Sequence, residues 1–150
     1  MIYSGTISII SADDDSDDQF LIRQAVKDTC AAFEFQVASD GSELLDKLLR
    51  QGKYRAGAEI KPDIILLDIN MPVMDGFETL KRIRSHEQLK MIPTFMLTTS
   101  RSEGEKEKCA LLGANAFYSK PAEFSLLRGI MAEIVTKSLT FKRPEPVNKP

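Results

Sequence analysis

Directly after four short apolar runs stand side chains that can bind a cation or a phosphate. Asp13, Asp14 and Asp15 follow Ile7–Ile10, and Asp68 follows Ile64–Leu67. Thr98 and Thr99 follow Phe95–Leu97, and Lys120 follows Ala116–Tyr118. If these runs are parallel strands of one open sheet, the residues meet at its carboxyl edge, where such sheets bind ligands. Carboxylates gathered there repel one another and raise each other's pKa. A hard divalent cation removes that conflict. Oxygen donors without His or Cys suit Mg²⁺, which takes one or two carboxylates and leaves room for a phosphate. One carboxylate then remains as a nucleophile, and aspartate accepts phosphoryl groups in covalent catalysis. The charge on a transferring phosphoryl group calls for a metal, an ammonium and a hydroxyl or N–H donor. This edge offers each.

The elements that must position these residues are legible in the pattern. The runs Ile7–Ile10, Phe35–Ala38, Ile64–Leu67, Phe95–Leu97 and Ala116–Tyr118 have the length of strands buried on both faces. Helical spacing separates them. Ile22, Val26, Thr29 and Phe33 share one face of a first helix. Leu44, Leu45, Leu48 and Leu49 mark a second, opened by an Asp40–Glu43 capping box. Phe77, Leu80, Ile83 and Arg84 mark a third. A fourth spans 102–112, with Cys109, Leu111 and Leu112 late in it and Gly113 as its stop. Phe124, Leu127, Ile130, Met131 and Ile134 mark a fifth. Strand–helix alternation of this kind predicts an α/β fold, a doubly wound parallel sheet with helices on both faces. Gln51–Lys61 reads as a polar surface connection without chemistry.

Composition bounds the function. The chain has 150 residues, 43% hydrophobic and 28% charged, the balance of one globular domain. Twenty basic against 22 acidic residues give a net charge of −2, which disfavours a nucleic-acid binder. No apolar run reaches membrane-span length, and Met1–Ile10 lacks the basic start of a signal peptide. Cys30 and Cys109 lack CxxC spacing and fit reduced thiols in a cytoplasmic protein. The expected domain is 1–139. Residues 140–150, with three prolines and three basic residues, read as a disordered tail.

The segments "SADDDSDD", "PDIILLDINMPVMDGFETL", "MLTTS" and "GANAFYSKP" occur in an order and spacing that resemble a response-regulator receiver domain, over residues 6–138. The resemblance implies a flavodoxin-like (βα)5 sandwich with strand order 2-1-3-4-5, as in chemotaxis regulators. It implies Asp68 as phosphoacceptor and Mg²⁺ held by Asp13, Asp14, Asp68 and the backbone carbonyl of Asn70. It implies Thr98 as the switch hydroxyl, Phe117 as the switch aromatic, Lys120 bridging the phosphoryl oxygens and a site carboxylate, and a cis peptide bond between Lys120 and Pro121. The phosphoryl group would come from a sensor histidine kinase or histidine phosphotransfer protein. The protein would catalyse only its own phosphorylation and slow dephosphorylation, and would signal through a change in protein binding. With few residues after the fifth helix, no DNA-binding output domain is expected.

Other readings fit less well. A calcium loop starting at Asp13 would need Gly at its sixth position and Glu at its twelfth, where Asp18 and Gln24 stand. A haloacid-dehalogenase-type phosphatase would need an acid two residues after Asp68, where Asn70 stands. There is no nucleotide-binding glycine loop. A scaffold with this fold but no phosphate chemistry would not need the full set of Asp13, Asp14, Asp68, Thr98 and Lys120. Asp15, Asp17 and Asp18 read as surface charge, Tyr118 as structural, and His86 as a helix-end cation. Gly76, after Asp75, reads as a turn or backbone-approach glycine. Asn70 and Ser100 occupy positions that tune phosphoryl lifetime in the family. "DDDSDDQFLI", "LTTS" and the long 51–61 connection are similar to the small receivers that partner bacterial phytochromes. Those relatives often form homodimers, for which the apolar residues of the fourth and fifth helices are candidates here.

Overall fold

The structure is a computed structural model that describes residues 3–141. Five parallel strands alternate with five helices: β1 (Tyr3–Ala12), α1 (Ser16–Thr29), β2 (Cys30–Ala38), α2 (Gly41–Leu49), β3 (Ile64–Leu67), α3 (Gly76–Ser85), β4 (Thr94–Thr98), α4 (Glu103–Leu111), β5 (Ala116–Ser119) and α5 (Phe124–Thr140). The strand order is β2-β1-β3-β4-β5, the flavodoxin-like topology expected.

Alternation along the inner strands builds two cores. Ile10, Ala12, Ile65, Leu67 and Met96 face Leu44 of α2, Leu80 and Ile83 of α3, and Cys109 of α4. Ile7, Ile9, Ile64, Leu66, Phe95 and Leu97 face Ile22 and Val26 of α1 and Leu127, Met131 and Ile134 of α5. β3 and β4 are buried throughout, as expected of strands covered on both faces. β2 and β5 are not: they are the sheet's edges, and β5 is only half-buried along its length. The two cysteines lie in different cores, on opposite faces of the sheet, and both thiols are free.

Several expected boundaries move. Phe33 belongs to β2, not to the first helix, because the chain turns extended at Cys30 and pairs with the long β1 from there. Leu111 is 89% exposed; Cys109 is the buried residue of α4, so the helix presents Leu111 to solvent. The fifth helix continues to Thr140, and the Phe141 ring lies 6.4 Å from that of Phe95. The start of the expected tail is therefore ordered, and its remainder, 142–150, lies outside the described residues.

Local signals explain the helix starts. Asp15, Asp40, Asp75 and Ser102 each accept backbone N–H bonds as N-caps of α1 to α4. At α2 the Glu43 carboxylate reaches back to the N–H of Ser39. Gly113 ends α4 with φ of 101°, a left-handed conformation that suits glycine. The 51–61 connection carries a short 3-10 turn, Gly52–Tyr54, from which the Tyr54 hydroxyl bonds Glu43. Among the described residues no helix is long and apolar enough to cross a membrane.

Candidate functional site

The sheet extends its hydrogen-bond ladder by one step to seat each key residue. Asp13 donates its N–H to Ala38 O at 2.9 Å, Asp68 to Ala12 O at 3.0 Å, and Lys120 to Thr98 O at 2.7 Å. Each residue thus leaves its strand with its backbone locked to the neighbouring strand end. Asp13, Asp14, Asp68, Thr98 and Lys120 all lie at this one edge, as the sequence predicts.

The carboxylates converge. One oxygen from each of Asp13, Asp14 and Asp68 lies within 4.8 Å of the others. Asp13 and Asp68 are buried, while Asp14 is exposed. Asp13 Oδ1 accepts the Asp15 N–H at 2.9 Å, and Asp68 Oδ1 accepts the Ile69 N–H at 2.8 Å. An open cluster of carboxylate oxygens with no His or Cys could hold a divalent metal. Asn70 lies exposed in the following loop, two residues from Asp68.

The Lys120 ammonium faces this charge. Lys120 Nζ stands 2.5 Å from Asp13 Oδ2, 2.7 Å from Asp18 Oδ2 and 3.6 Å from Asp68 Oδ2. Burial disfavours its ammonium, but the bonds to Asp13 and Asp18 and the Asp68 charge outweigh that and hold its pKa well above the ordinary lysine value. Burial also pushes the Asp13 carboxyl upward, against the Lys120 ammonium and the Asp15 N–H, and the Asp68 charge adds to the rise. Asp13 rises chiefly because it is buried, and Lys120 because carboxylates surround it.

Asp18 was expected to be plain surface charge, and the structure corrects that. The first turn of α1 carries it back over the site, onto Lys120. Asp15 is likewise no idle charge, since it caps α1. Gln19 also went unnoticed in the sequence. Its buried amide nitrogen donates to Ser11 O, Asp13 O and Ala38 O, which ties the ends of β1 and β2 beneath the carboxylates. Among the described residues its side-chain oxygen has no partner. The only available signal was a polar residue in a buried helical position, three after Ser16.

The remaining expected residues fall as follows. Thr98 is fully buried at the end of β4, and its hydroxyl accepts the Ser100 N–H at 3.3 Å. Ser100 bonds Glu105 of α4, and its carbonyl accepts from the Ser119 hydroxyl, so the β4–α4 loop is tied to both α4 and β5. Phe117 is half-buried against the core under α3 and α4, whereas Tyr118 points to the other face and bonds Glu133. The Lys120–Pro121 bond is trans, contrary to expectation; trans is the majority state for X–Pro bonds generally. His86 caps the end of α3 and accepts the Gln88 N–H. A cavity of about 450 Å³ between α2 and α3 is lined by Leu45, Met74 and His86, away from the carboxylates.

Known proteins resemble this chain in sequence and fold. The model of the response regulator receiver domain matches residues 9–132. The response regulator Rcp1 of Synechocystis is 31% identical over 126 residues, covering 81% of this chain and 84% of that protein. Among solved structures, the phosphorylated cyanobacterial phytochrome response regulator RcpA superposes with a TM-score of 0.82 at 31% identity, over 95% of this chain and 100% of that one. The Mn²⁺-bound form of Rcp1 superposes with a TM-score of 0.77 at 29% identity, over 96% and 99% of the two chains.

Proposed function

The chain belongs to the response regulator receiver domain family of two-component signalling, and from that premise we propose that Asp68 accepts a phosphoryl group from a partner's phosphohistidine. The observation that carries this reading is Asp68 itself. It is a buried carboxylate at a strand end, with the Lys120 ammonium 3.6 Å from one oxygen and two further carboxylates within metal-sharing distance. Asp13, Asp14, Asp68 and the Asn70 carbonyl would hold Mg²⁺, which would supply positive charge to the phosphoryl oxygens.

In the transfer an Asp68 oxygen attacks phosphorus and the P–N bond of the donor breaks, its electron pair returning to the imidazole nitrogen. Lys120 meets one of the oxygens whose charge must be balanced. Thr98 turns its hydroxyl to another and gives up the Ser100 N–H. Phe117 then repacks against the core beneath α4, so that the face of α4, β5 and α5 changes shape for a protein target. Water later attacks the same phosphorus slowly; the bond between it and the Asp68 oxygen breaks, inorganic phosphate leaves and the Asp68 carboxylate is restored.

Two surfaces suit partners. Phe20, 60% exposed on α1, lines a cavity together with Asp13 and Asp14, and offers the donor an apolar contact beside the carboxylates. The likeness to RcpA supports a phytochrome-type histidine kinase as that donor. Leu111 of α4 and Leu126 of α5 are exposed and would serve association with a second copy. Light scattering with and without a phosphoryl mimic tests that association, and equal masses at high concentration would remove it.

Acetyl phosphate tests the central reading. Native protein and Asp68→Asn are incubated with and without Mg²⁺ and read by intact mass, then repeated with a phosphohistidine donor. One added phosphoryl group on native protein, dependent on Mg²⁺ and absent from the variant, is expected. No gain from either donor would overturn the proposal.

A further inference from the structure

The Lys120 ammonium has three hydrogens and three carboxylates around it. Asp13 and Asp18 lie within hydrogen-bond distance, at 2.5 and 2.7 Å, while Asp68 at 3.6 Å lies beyond it. Asp13 belongs to the converging carboxylates. Asp18 does not: it stands apart from that group, on the first turn of α1. It is nevertheless firmly placed. Its own N–H and that of Asp17 bond the Asp15 cap, and the next residue, Gln19, is pinned to three backbone carbonyls. Asp18 is therefore a fixed second anchor for the lysine, and the phosphoryl chemistry described above makes no use of it.

We propose that Asp18 is a positioning residue that holds the Lys120 ammonium off Asp68 and competes with the phosphoryl group for it. The inference rests on the phosphoryl-acceptor reading. A phosphoryl group on Asp68 draws Lys120 toward its oxygens, and the lysine must then weaken its Asp18 bond. Asp18 thereby sets how tightly the site holds the phosphoryl group, not whether it can take one. Its charge at the rim adds to this, since it also repels the anionic phosphoryl oxygens.

Beryllium trifluoride with Mg²⁺, a non-reacting phosphoryl mimic, separates these effects. It is titrated into native protein, Asp18→Asn, Asp18→Glu and Asp17→Asn, with affinity read from amide NMR shifts and folding checked on the free proteins. Asp18→Ser replaces the Asn variant if that one does not fold. Asp18→Asn should bind on the order of three- to tenfold tighter, the scale of one partly exposed charge-assisted contact. Asp18→Glu, which keeps the charge and can reach Lys120, should return toward native affinity. Asp17→Asn removes the same charge from the same helical turn without touching Lys120, and should differ little from native. An Asp18→Asn affinity equal to or weaker than native would overturn the inference, as would an equal gain in Asp17→Asn. Failure of the native protein to bind the mimic would overturn the phosphoryl-acceptor reading together with it, and so is distinct from the other outcomes.

Discussion

Gly76 and Asp68 approach so closely that a Cβ on the glycine would lie 2.2 Å from the Asp68 carbonyl oxygen. The same Cβ would lie 2.8 Å from Ile69 Cα, and the Gly76 N–H donates to Ile69 O at 2.8 Å. The start of α3 therefore rests on the backbone that carries the carboxylate. Gly76→Ala should cost roughly 1–3 kcal/mol of stability by overpacking and should shift Asp68. Denaturant unfolding and acetyl phosphate labelling check this. A variant with native stability and native labelling would show that the loop yields freely.

Val73 sits in the β3–α3 loop with φ of 66°, a left-handed conformation unusual for a β-branched residue, and is 85% exposed. The Met74 N–H donates to Pro72 O at 2.6 Å across it, closing a tight turn. Backbone strain of this kind costs about 1–3 kcal/mol. Val73→Gly relieves it and loses little packing, while the unfolded chain gains some freedom. The net expectation is about 1 kcal/mol of added stability, read as a higher melting temperature. A lower one would contradict it.

Removal of divalent metal should lower stability. Asp13, Asp14 and Asp68 repel one another, and a bound ion relieves that repulsion in the folded state alone. An ion present about 100-fold above its dissociation constant adds about 2.7 kcal/mol. Thermal melts in MgCl₂ and in EDTA should differ for the native protein and converge for Asp14→Asn. An equal Mg²⁺ gain in that variant would place the ion elsewhere.

The Glu43–Tyr54 contact predicts a pH dependence. Burial pushes the Glu43 carboxyl up, but the Ser39 N–H, the Tyr54 hydroxyl and the charges of Lys47 and Lys53 outweigh it and hold the group below its ordinary value. A carboxyl depressed in the folded state stabilises above its unfolded value of 4.5, and that stability is lost as pH falls through the folded value. Tyr54→Phe should cost roughly 0.5–1.5 kcal/mol at pH 7. The deficit should shrink toward pH 3, and one that grows with acid would reverse the sign argued here.

Partner recognition is separable from chemistry at Phe20. Phe20→Ala should slow labelling by a phosphohistidine protein several-fold and leave labelling by acetyl phosphate near native. Equal slowing of both would mean that the ring supports the site rather than the partner.

The strand-end positions of Asp13, Asp14, Asp68, Thr98 and Lys120 could be read from the apolar runs, whereas the strand order came only with the family resemblance. Buried parallel strands are continuous apolar runs, and the residue that ends each run must emerge at the same edge. Gly76 was legible only as a turn or backbone-approach glycine, and its contact with the Asp68 backbone decides for the second. Phe33 was misread because its helical spacing continues past Thr29. Periodicity carries no record of the β1 partner that draws Cys30–Ala38 into an edge strand. At α4 the sequence marks Cys109, Leu111 and Leu112 without ranking them, and only docking of the helix selects Cys109 for the core and leaves Leu111 in solvent.

By itself the sequence determined which residue types end each strand, and hence a carboxylate-rich edge with one ammonium and one buried hydroxyl. Only the tertiary structure decided how that ammonium is shared. Asp18 and Lys120 are 102 residues apart, and their contact requires α1 to fold back beside β1 while β5 closes the far side of the sheet. The same holds for Gln19, whose amide gathers carbonyls from β1, the loop after it and β2. Local patterns encode each element's period and caps, whereas contacts between elements depend on register and packing angle, to which every residue of the core contributes.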